Sequence, residues 1–266
     1  MDDTLKGQVT RSAAEIYDEF FVPALFQEWA PRVADAAQIW PGQTVLDVAC
    51  GTGVLAREAA RRAETDGSVT GLDRNEDMLV VARRVAPSIE WRLGRAELLP
   101  FADHTFDTVV SQFGLMFFED RVAALREMWR VLRPGGRLAV AVWGPLDDTP
   151  GYAAMVALLQ RLFGDRIANE LRAPFILGDP DALRSLFIQA DIPNGAIQTP
   201  AGTARYPSIE AWVHVDVKGW TLADLIDDAQ YRTLLREAER ELSRYIQPDG
   251  TVAFHSPAHI ATATKA

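Results

Sequence analysis

The sequence predicts an α/β protein: a doubly wound, mostly parallel sheet of seven strands with a helical cap. Three observations predict it. Short apolar runs alternate with helical stretches between Val45 and Trp143, a pattern that implies right-handed crossovers and a parallel sheet covered on both faces. A glycine turn, Cys50-Gly51-Thr52-Gly53, joins the first run to its helix. A helical stretch over residues 207–248 separates the two runs that complete the sheet. At 266 residues the chain suits one domain spanning 1–266, with residues 1–40 as a helical lid and 207–248 as a cap over the ligand edge.

In chain order, Ser12-Ala13-Ala14-Glu15 has the capping-box pattern and opens a helix carrying Ile16, Tyr17, Phe20 and Phe21. Leu25 to Ile39 is helical and stops at Pro41-Gly42. Val45–Ala49 is a buried strand, followed after the glycine turn by a helix from Val54 to about Glu64. Val69–Asp73, Ile89–Leu93 and Phe106–Ser111 are the next strands. Met78–Val85 and Arg121–Leu132 are the helices among them. Arg133-Pro134-Gly135-Gly136 ends the last helix, because proline cannot continue it and glycine can turn the chain. Arg137–Trp143 is the fifth strand. Asp179-Pro180 pairs an N-cap with a first-turn proline and starts a helix to about Ala190. Gly195–Tyr206 and Thr251–Thr264 are the sixth and seventh strands, and Ser208–Ile246, rich in Trp212, Trp220 and Tyr231, is helical between them.

Composition narrows the partners. With 48% hydrophobic residues the chain can bury a sizeable core. A net charge of -10 repels phosphate backbones, which argues against nucleic acid or an anionic membrane as main partner. The one cysteine, Cys50, forms no intramolecular disulfide and no multi-cysteine metal site. No secretory pattern is present at Met1–Thr4, and apolar runs such as Leu138–Trp143 are far too short to span a bilayer, so a cytoplasmic protein without membrane insertion is expected. A homodimer is compatible with the sequence.

Gly51-Thr52-Gly53-Val54-Leu55-Ala56 satisfies the G-x-G-x-x-G/A fingerprint after a strand and before a helix. NAD, FAD and S-adenosylmethionine sites all use such a turn. Asp47, at the end of the first strand, discriminates: a carboxylate there repels the pyrophosphate that a helix N-terminus attracts, and favours a ligand bearing an ammonium and a sulfonium. Asp73 ends the second strand 20 positions beyond Gly53, where a carboxylate accepts from two ribose hydroxyls. It also suits a helix N-cap.

Val45-Leu46-Asp47-Val48-Ala49-Cys50-Gly51-Thr52-Gly53 resembles motif I of class I S-adenosylmethionine-dependent methyltransferases, and Gly71-Leu72-Asp73 with Met78-Leu79 resembles their second motif. Leu99-Pro100-Phe101 with Phe106-Asp107, and Arg130 to Gly136, resemble the later ones. Together these span about Tyr17 to Trp143 and are most similar to the ubiquinone/menaquinone-type, or type 11, branch. The resemblance implies a Rossmann-like methyltransferase fold, S-adenosyl-L-methionine as cofactor and S-adenosyl-L-homocysteine as product. It places Asp47, Gly51 and Gly53, with Ala49 and Thr52, at the methionine part, Asp73 at the ribose, and Arg74 and Met78 beside the adenine. Gly94-Arg95-Ala96-Glu97 stands where the family commonly has an aspartate in place of Arg95. Arginine accepts no hydrogen bond, so the adenine contact shifts to a backbone carbonyl or to Glu97, with Ala96 alongside. Ser111 and Gln112 follow the fourth strand, where the family's loop passes beneath the sulfonium.

Methyl transfer is an in-line displacement that alignment and water exclusion can accelerate, so a general base is optional. His214 is the candidate if one acts. Tyr17 is expected to face the ligand, its hydroxyl being the reason. Phe113, Met116, Phe117, Trp143 and Trp212 are expected to line an apolar pocket for a small-molecule acceptor. His255 and His259 are spaced i, i+4, but Pro257 between them spoils a helical metal pair, and no metal is expected. Two other readings use the same loop. An NAD-dependent oxidoreductase is disfavoured by Asp47 and by the lack of a Tyr-x-x-x-Lys pair; a cofactor-binding paralogue without catalysis follows if Arg95 impairs the site.

Overall fold

A computed structural model describes residues 13–266 apart from 194, 219–221 and 223–224; Ser12 and Trp220 therefore lie outside the described residues. Helix α1 (Ala13–Ile16) runs without a break into a π-helical segment, Tyr17–Phe26, that contains Pro23. Proline removes an N–H and clashes with the carbonyl four residues back in an α-helix; the wider winding gives the ring room. α2 (Trp29–Ala36) follows. The helical stretch expected from Leu25 is thus divided between a π-helical end and a short α-helix.

Strands β1 (Thr44–Val48), β2 (Ser68–Asp73), β3 (Glu90–Leu93), β4 (Phe106–Gln112) and β5 (Leu132–Trp143) alternate with helices α3 (Val54–Ala63), α4 (Glu76–Val85) and α5 (Arg121–Val131). Two of these helices carry side-chain N-caps: Asp120 accepts from the Ala123 amide, and Asn75, rather than Asp73, caps α4 by accepting from the Asp77 amide. β5 begins five residues earlier than Arg137. Leu132 pairs with Phe106, a bulge absorbs Arg133 to Gly136, and regular pairing resumes at Thr108–Arg137. The Pro-Gly-Gly run therefore ends the helix and bulges the strand at once.

The stretch from Pro145 to Gly178 holds two helices that the periodicity reading did not single out: α6 (Pro150–Phe163), with proline in its first turn, and α7 (Asp165–Arg172). Gly164 separates them at φ 83°. α8 (Pro180–Gln189) has Asp179 as its N-cap, as expected. Each of the last two expected strands divides. Residues 196–198 form β6 and 203–206 form β7, while 252–255 form β8 and 258–264 form β9. Pro200 and Pro257 fall in the two breaks, where a missing N–H interrupts a ladder.

β6 and β9 join the main sheet and β7 and β8 pair as a separate antiparallel hairpin. The seven-stranded sheet has the order β3-β2-β1-β4-β5-β9-β6. β1 to β5 are parallel to one another, and β9 runs antiparallel to both its neighbours. α9 (Ile209–Lys218) and α10 (Asp228–Glu241) lie in the connection between β6 and β9, as two helices rather than one. Strand order reverses beside β1, between β1 and β4, which places a ligand crevice at the carboxyl ends of these strands.

Candidate cofactor site

At that crevice β1 delivers Asp47 and β2 delivers Asp73. Both Asp73 oxygens are engaged: Oδ2 accepts from the Gly51 amide at 2.8 Å and Oδ1 from the Asn75 amide at 2.9 Å. The carboxylate thus ties the glycine turn to the start of α4. Burial raises its pKa, and the Asn75 and Gly51 amides pull it back. Asp47 is buried more completely, and neither oxygen reaches hydrogen-bond geometry with any described residue. Burial pushes its carboxyl well above the usual range, the Ala56 amide at the start of α3 offsets this in part, and the Asp73 charge adds to it. Thr52 Oγ1 and Ser111 Oγ are also buried without a partner among the described residues.

Above these groups lies a cavity of about 300 Å³, at the lower end of small-molecule sites. Its floor and nucleotide-like end include Ala49, Gly51, Asp73, Arg74, Met78, Ala96 and Glu97. Much of the remaining wall is aromatic. Phe113 and Trp143 stack at 3.8 Å with planes 10° apart, Phe26 lies 5.6 Å from Phe113, and Tyr17 stacks on Phe26 at 5.1 Å. Ala49 and Phe113 adopt φ of 57° and 56°, a conformation costly for non-glycine residues and concentrated at functional sites. Tyr17 comes from the π-helical segment, whose Phe26 carbonyl accepts from Gln112 Nε2 at 3.1 Å. Burial, then the Asp73 and Asp47 charges, push the tyrosine phenol far up, so it stays a neutral donor. A Cβ on Gly51 would stand 3.7 Å from the Tyr17 ring and hydroxyl, at a φ of 55° that side chains avoid.

The rim carries charge. Glu119 Oε2 accepts from Arg95 at 2.8 Å and Oε1 from Arg74 at 3.3 Å, while the Glu119 amide donates to Glu97 Oε1 at 3.0 Å. Arg95 Nε also stands 3.5 Å from Glu97 Oε2. Arg95 points to this network and is absent from the cavity wall.

Of the residues singled out from the sequence, Tyr17, Ala49, Gly51, Asp73, Arg74, Met78, Ala96, Glu97, Gln112, Phe113, Phe117 and Trp143 line the cavity. Asp47, Thr52 and Ser111 lie buried at the ends of β1 and β4 without reaching the cavity wall. Gly53 faces elsewhere: a Cβ there would come within 2.3 Å of Trp91, so its missing side chain makes room for the indole rather than for a ligand. Met116 is in the core. Trp212 is fully buried in a separate aromatic cluster, 5.5 Å from Tyr206 and 4.7 Å from Phe254. An aromatic at helical spacing says that a face is buried, not against what. His214 sits edge-on to Phe20 at 6.3 Å and is not on the cavity wall. His259 is fixed between the Thr199 hydroxyl and the Gly178 carbonyl. Sequence reasoning missed Phe26, Leu72, Asn75, Gly94, Gly114 and Phe118 on the wall. Gly94 follows directly on β3 and Asn75 comes two residues after β2, positions that mark the ligand edge.

The residues fit a cationic donor. Two buried carboxylates, one with both oxygens unbonded, stand under a cavity walled by aromatic rings. The α3 N-terminus, where a diphosphate would rest, already faces Asp47.

Comparisons with known proteins agree. The model of the Methyltransferase domain family matches residues 46–140. The chain is 34% identical over 207 residues to the ubiquinone/menaquinone biosynthesis C-methyltransferase UbiE of Enterobacter sp. (strain 638), covering 71% of this chain and 82% of that one. To the UbiE protein of Klebsiella pneumoniae it is 42% identical over 143 residues, 50% of this chain and a little over half, 57%, of the relative. Among solved structures, an N-methyltransferase of Haemonchus contortus in complex with phosphomonomethylethanolamine and S-adenosylhomocysteine superposes with a TM-score of 0.61 at 16% identity, over 97% of this chain and 59% of that one. That likeness concerns the fold.

Proposed function

Because the chain belongs to the S-adenosylmethionine-dependent methyltransferases of the ubiquinone/menaquinone type, we propose that its methyl acceptor is a small apolar or aromatic molecule held against the Phe113–Trp143 stack. The observation that carries this reading is the aromatic wall itself: Tyr17, Phe26, Phe113 and Trp143 pack on one another and line the cavity together with the acids Asp73 and Glu97. A planar acceptor gains stacking of about 0.5–1.5 kcal/mol per ring pair there. The curated relatives are named for ubiquinone/menaquinone biosynthesis, in keeping with a ring-bearing acceptor.

S-adenosylmethionine supplies, when bound, an electrophilic methyl group on a sulfonium. Asp73 holds the ribose hydroxyls, and Arg74, Met78, Ala96 and Glu97 flank the adenine. Asp47 acts from beneath through its charge, and Tyr17, Ala49, Gly51 and Gln112 surround the methionine part. Phe113, Phe117 and Trp143 align the acceptor and exclude water. Alignment carries the rate, and His214 packs against the lid residue Phe20, away from the described cavity wall. Of the expected lid, Tyr17 and Phe26 reach the cavity wall, whereas no described residue of the 207–248 cap does. A small acceptor met in the cytoplasm suits a chain with a net charge of -10; no helix among the described residues is long and apolar enough to cross a membrane.

Titrating S-adenosylmethionine by calorimetry and then assaying hydroquinone-like rings tests the reading. Micromolar cofactor binding and methylation of a ring acceptor, with KM raised about tenfold in Trp143→Ala, are expected. Turnover of polar, non-planar acceptors only, with Trp143→Ala unchanged, would discard the aromatic-acceptor assignment.

A further inference from the structure

Glu119 does three things at the rim that no other described residue does. Its two carboxylate oxygens take one arginine each, Arg74 and Arg95, and its backbone amide holds Glu97 Oε1. It comes from the β4–α5 connection, two residues from Phe117, whereas Arg74 follows β2 and Arg95 and Glu97 follow β3. One residue therefore fastens three strand-end loops around the same end of the cavity.

Arg95 has two possible acids. It lies 2.8 Å from Glu119 but only 3.5 Å from Glu97, and Glu97, unlike Arg95, is on the cavity wall. A guanidinium without Glu119 would turn fully to Glu97, since a charge-assisted pair is the strongest bond open to it. The acid of the β3 loop, placed beside the adenine, would then be occupied.

We propose that Glu119 is a positioning residue for cofactor binding: by drawing Arg95 and Arg74 outward and fixing Glu97 through its own amide, it keeps the Glu97 carboxylate available to accept from the adenine amino group. This rests on the cofactor placement given above. It also explains how the chain tolerates arginine at position 95, the charge being removed to the rim.

The test is a double-mutant cycle read by calorimetry. Glu119→Gln weakens S-adenosylmethionine and S-adenosylhomocysteine alike by about tenfold, the worth of one lost charged hydrogen bond. Arg95→Gln binds at least as tightly as the parent, and the double variant Arg95→Gln/Glu119→Gln recovers the parent affinity, because no guanidinium is left to capture Glu97. A merely structural role for Glu119 would leave the double variant as weak as Glu119→Gln, and that result overturns the proposal. So does unchanged affinity in Glu119→Gln, or a loss confined to S-adenosylmethionine, which would signal repulsion of the sulfonium instead. A parent chain that binds neither ligand refutes the cofactor placement as well, and so is distinguishable from failure of the Glu119 role alone.

Discussion

Asp47 and Asp216 are both buried aspartates, and the chain treats them differently. Asp47, at the end of β1, has no hydrogen bond to any described residue, the Asp73 charge adds to its burial, and the two acids in turn hold the Tyr17 and Cys50 protons on. Asp216, in α9, accepts from Tyr152 at 3.3 Å, and the Tyr152 hydroxyl meets that of Tyr206 at 2.5 Å. Around it stand Trp212, Tyr245 and Phe254. The first site leaves charge uncompensated, which a protein tolerates where a ligand of opposite charge completes it. The second is bonded at one oxygen, Oδ1, while Oδ2 has no partner among the described residues, and burial keeps its carboxyl protonated near neutral pH. Burial alone does not separate the two: Asp47 has neither oxygen bonded and lies beside the cavity, whereas Asp216 keeps one bond to a tyrosine pair inside an aromatic cluster.

The largest expected effect divides the two regions by stability. Trp212→Ala removes a fully buried ring packed on Tyr206, Tyr152 and Phe254 and should cost about 3–5 kcal/mol, read as a fall in the denaturant midpoint. Cofactor affinity of the folded protein should not move. A matching loss of affinity would mean that the cap cluster and the cavity are one unit, and the comparison would break.

Next in size, Asp47→Asn should act in the opposite sense. Exchanging a desolvated acid for a neutral isostere should leave the stability of the free protein unchanged or raised near pH 7, since burial already favours the neutral form. Affinity for S-adenosylmethionine should fall about tenfold, with S-adenosylhomocysteine, which lacks the sulfonium charge, less affected. Equal affinity of Asp47→Asn for the two ligands would remove the electrostatic reason for placing a cation there.

The same contrast marks what could be read from the sequence. The glycine turn, Asp47, Asp73 and the residues after β2 to β4 were legible because ligand-edge positions are fixed by local events: a strand ends, a glycine turns, a helix is capped. The five parallel strands followed from their apolar runs. Helices α6 and α7 were less legible, although Thr149-Pro150 and Gly164 punctuate them. Trp212 and Gly53 were assigned to the ligand, yet one packs in the cap and the other faces Trp91. Glu119 carried no signal, because an acid after a loop aromatic becomes meaningful only when β2 and β3 bring two arginines to it. Side-chain partners across the fold are a tertiary fact; strand ends are not.

The smallest effect concerns pH. Burial pushes the Asp216 carboxyl up to about 8, with Tyr152 and Trp212 offsetting it in part, against about 3.9 in an unfolded chain. Between those values the folded state holds a proton that the unfolded state has lost, so stability falls as pH rises and levels off once the folded pKa is passed. The contribution is complete below about pH 4 and should decline by about 1 kcal/mol between pH 7 and pH 9. Asp47 and Cys50 are shifted in the same direction, so the parent curve alone does not identify the group. Asp216→Asn does: it keeps the shape of the side chain, removes the titration, and should flatten the fall in melting temperature across that interval. Saturating cofactor should not reproduce that flattening, since a ligand at the far cavity relieves Asp47 and leaves Asp216 as it was. If Asp216→Asn retained the full parental slope, the buried acid of the cap would not be the titrating group, and the contrast with Asp47 would lose its second half.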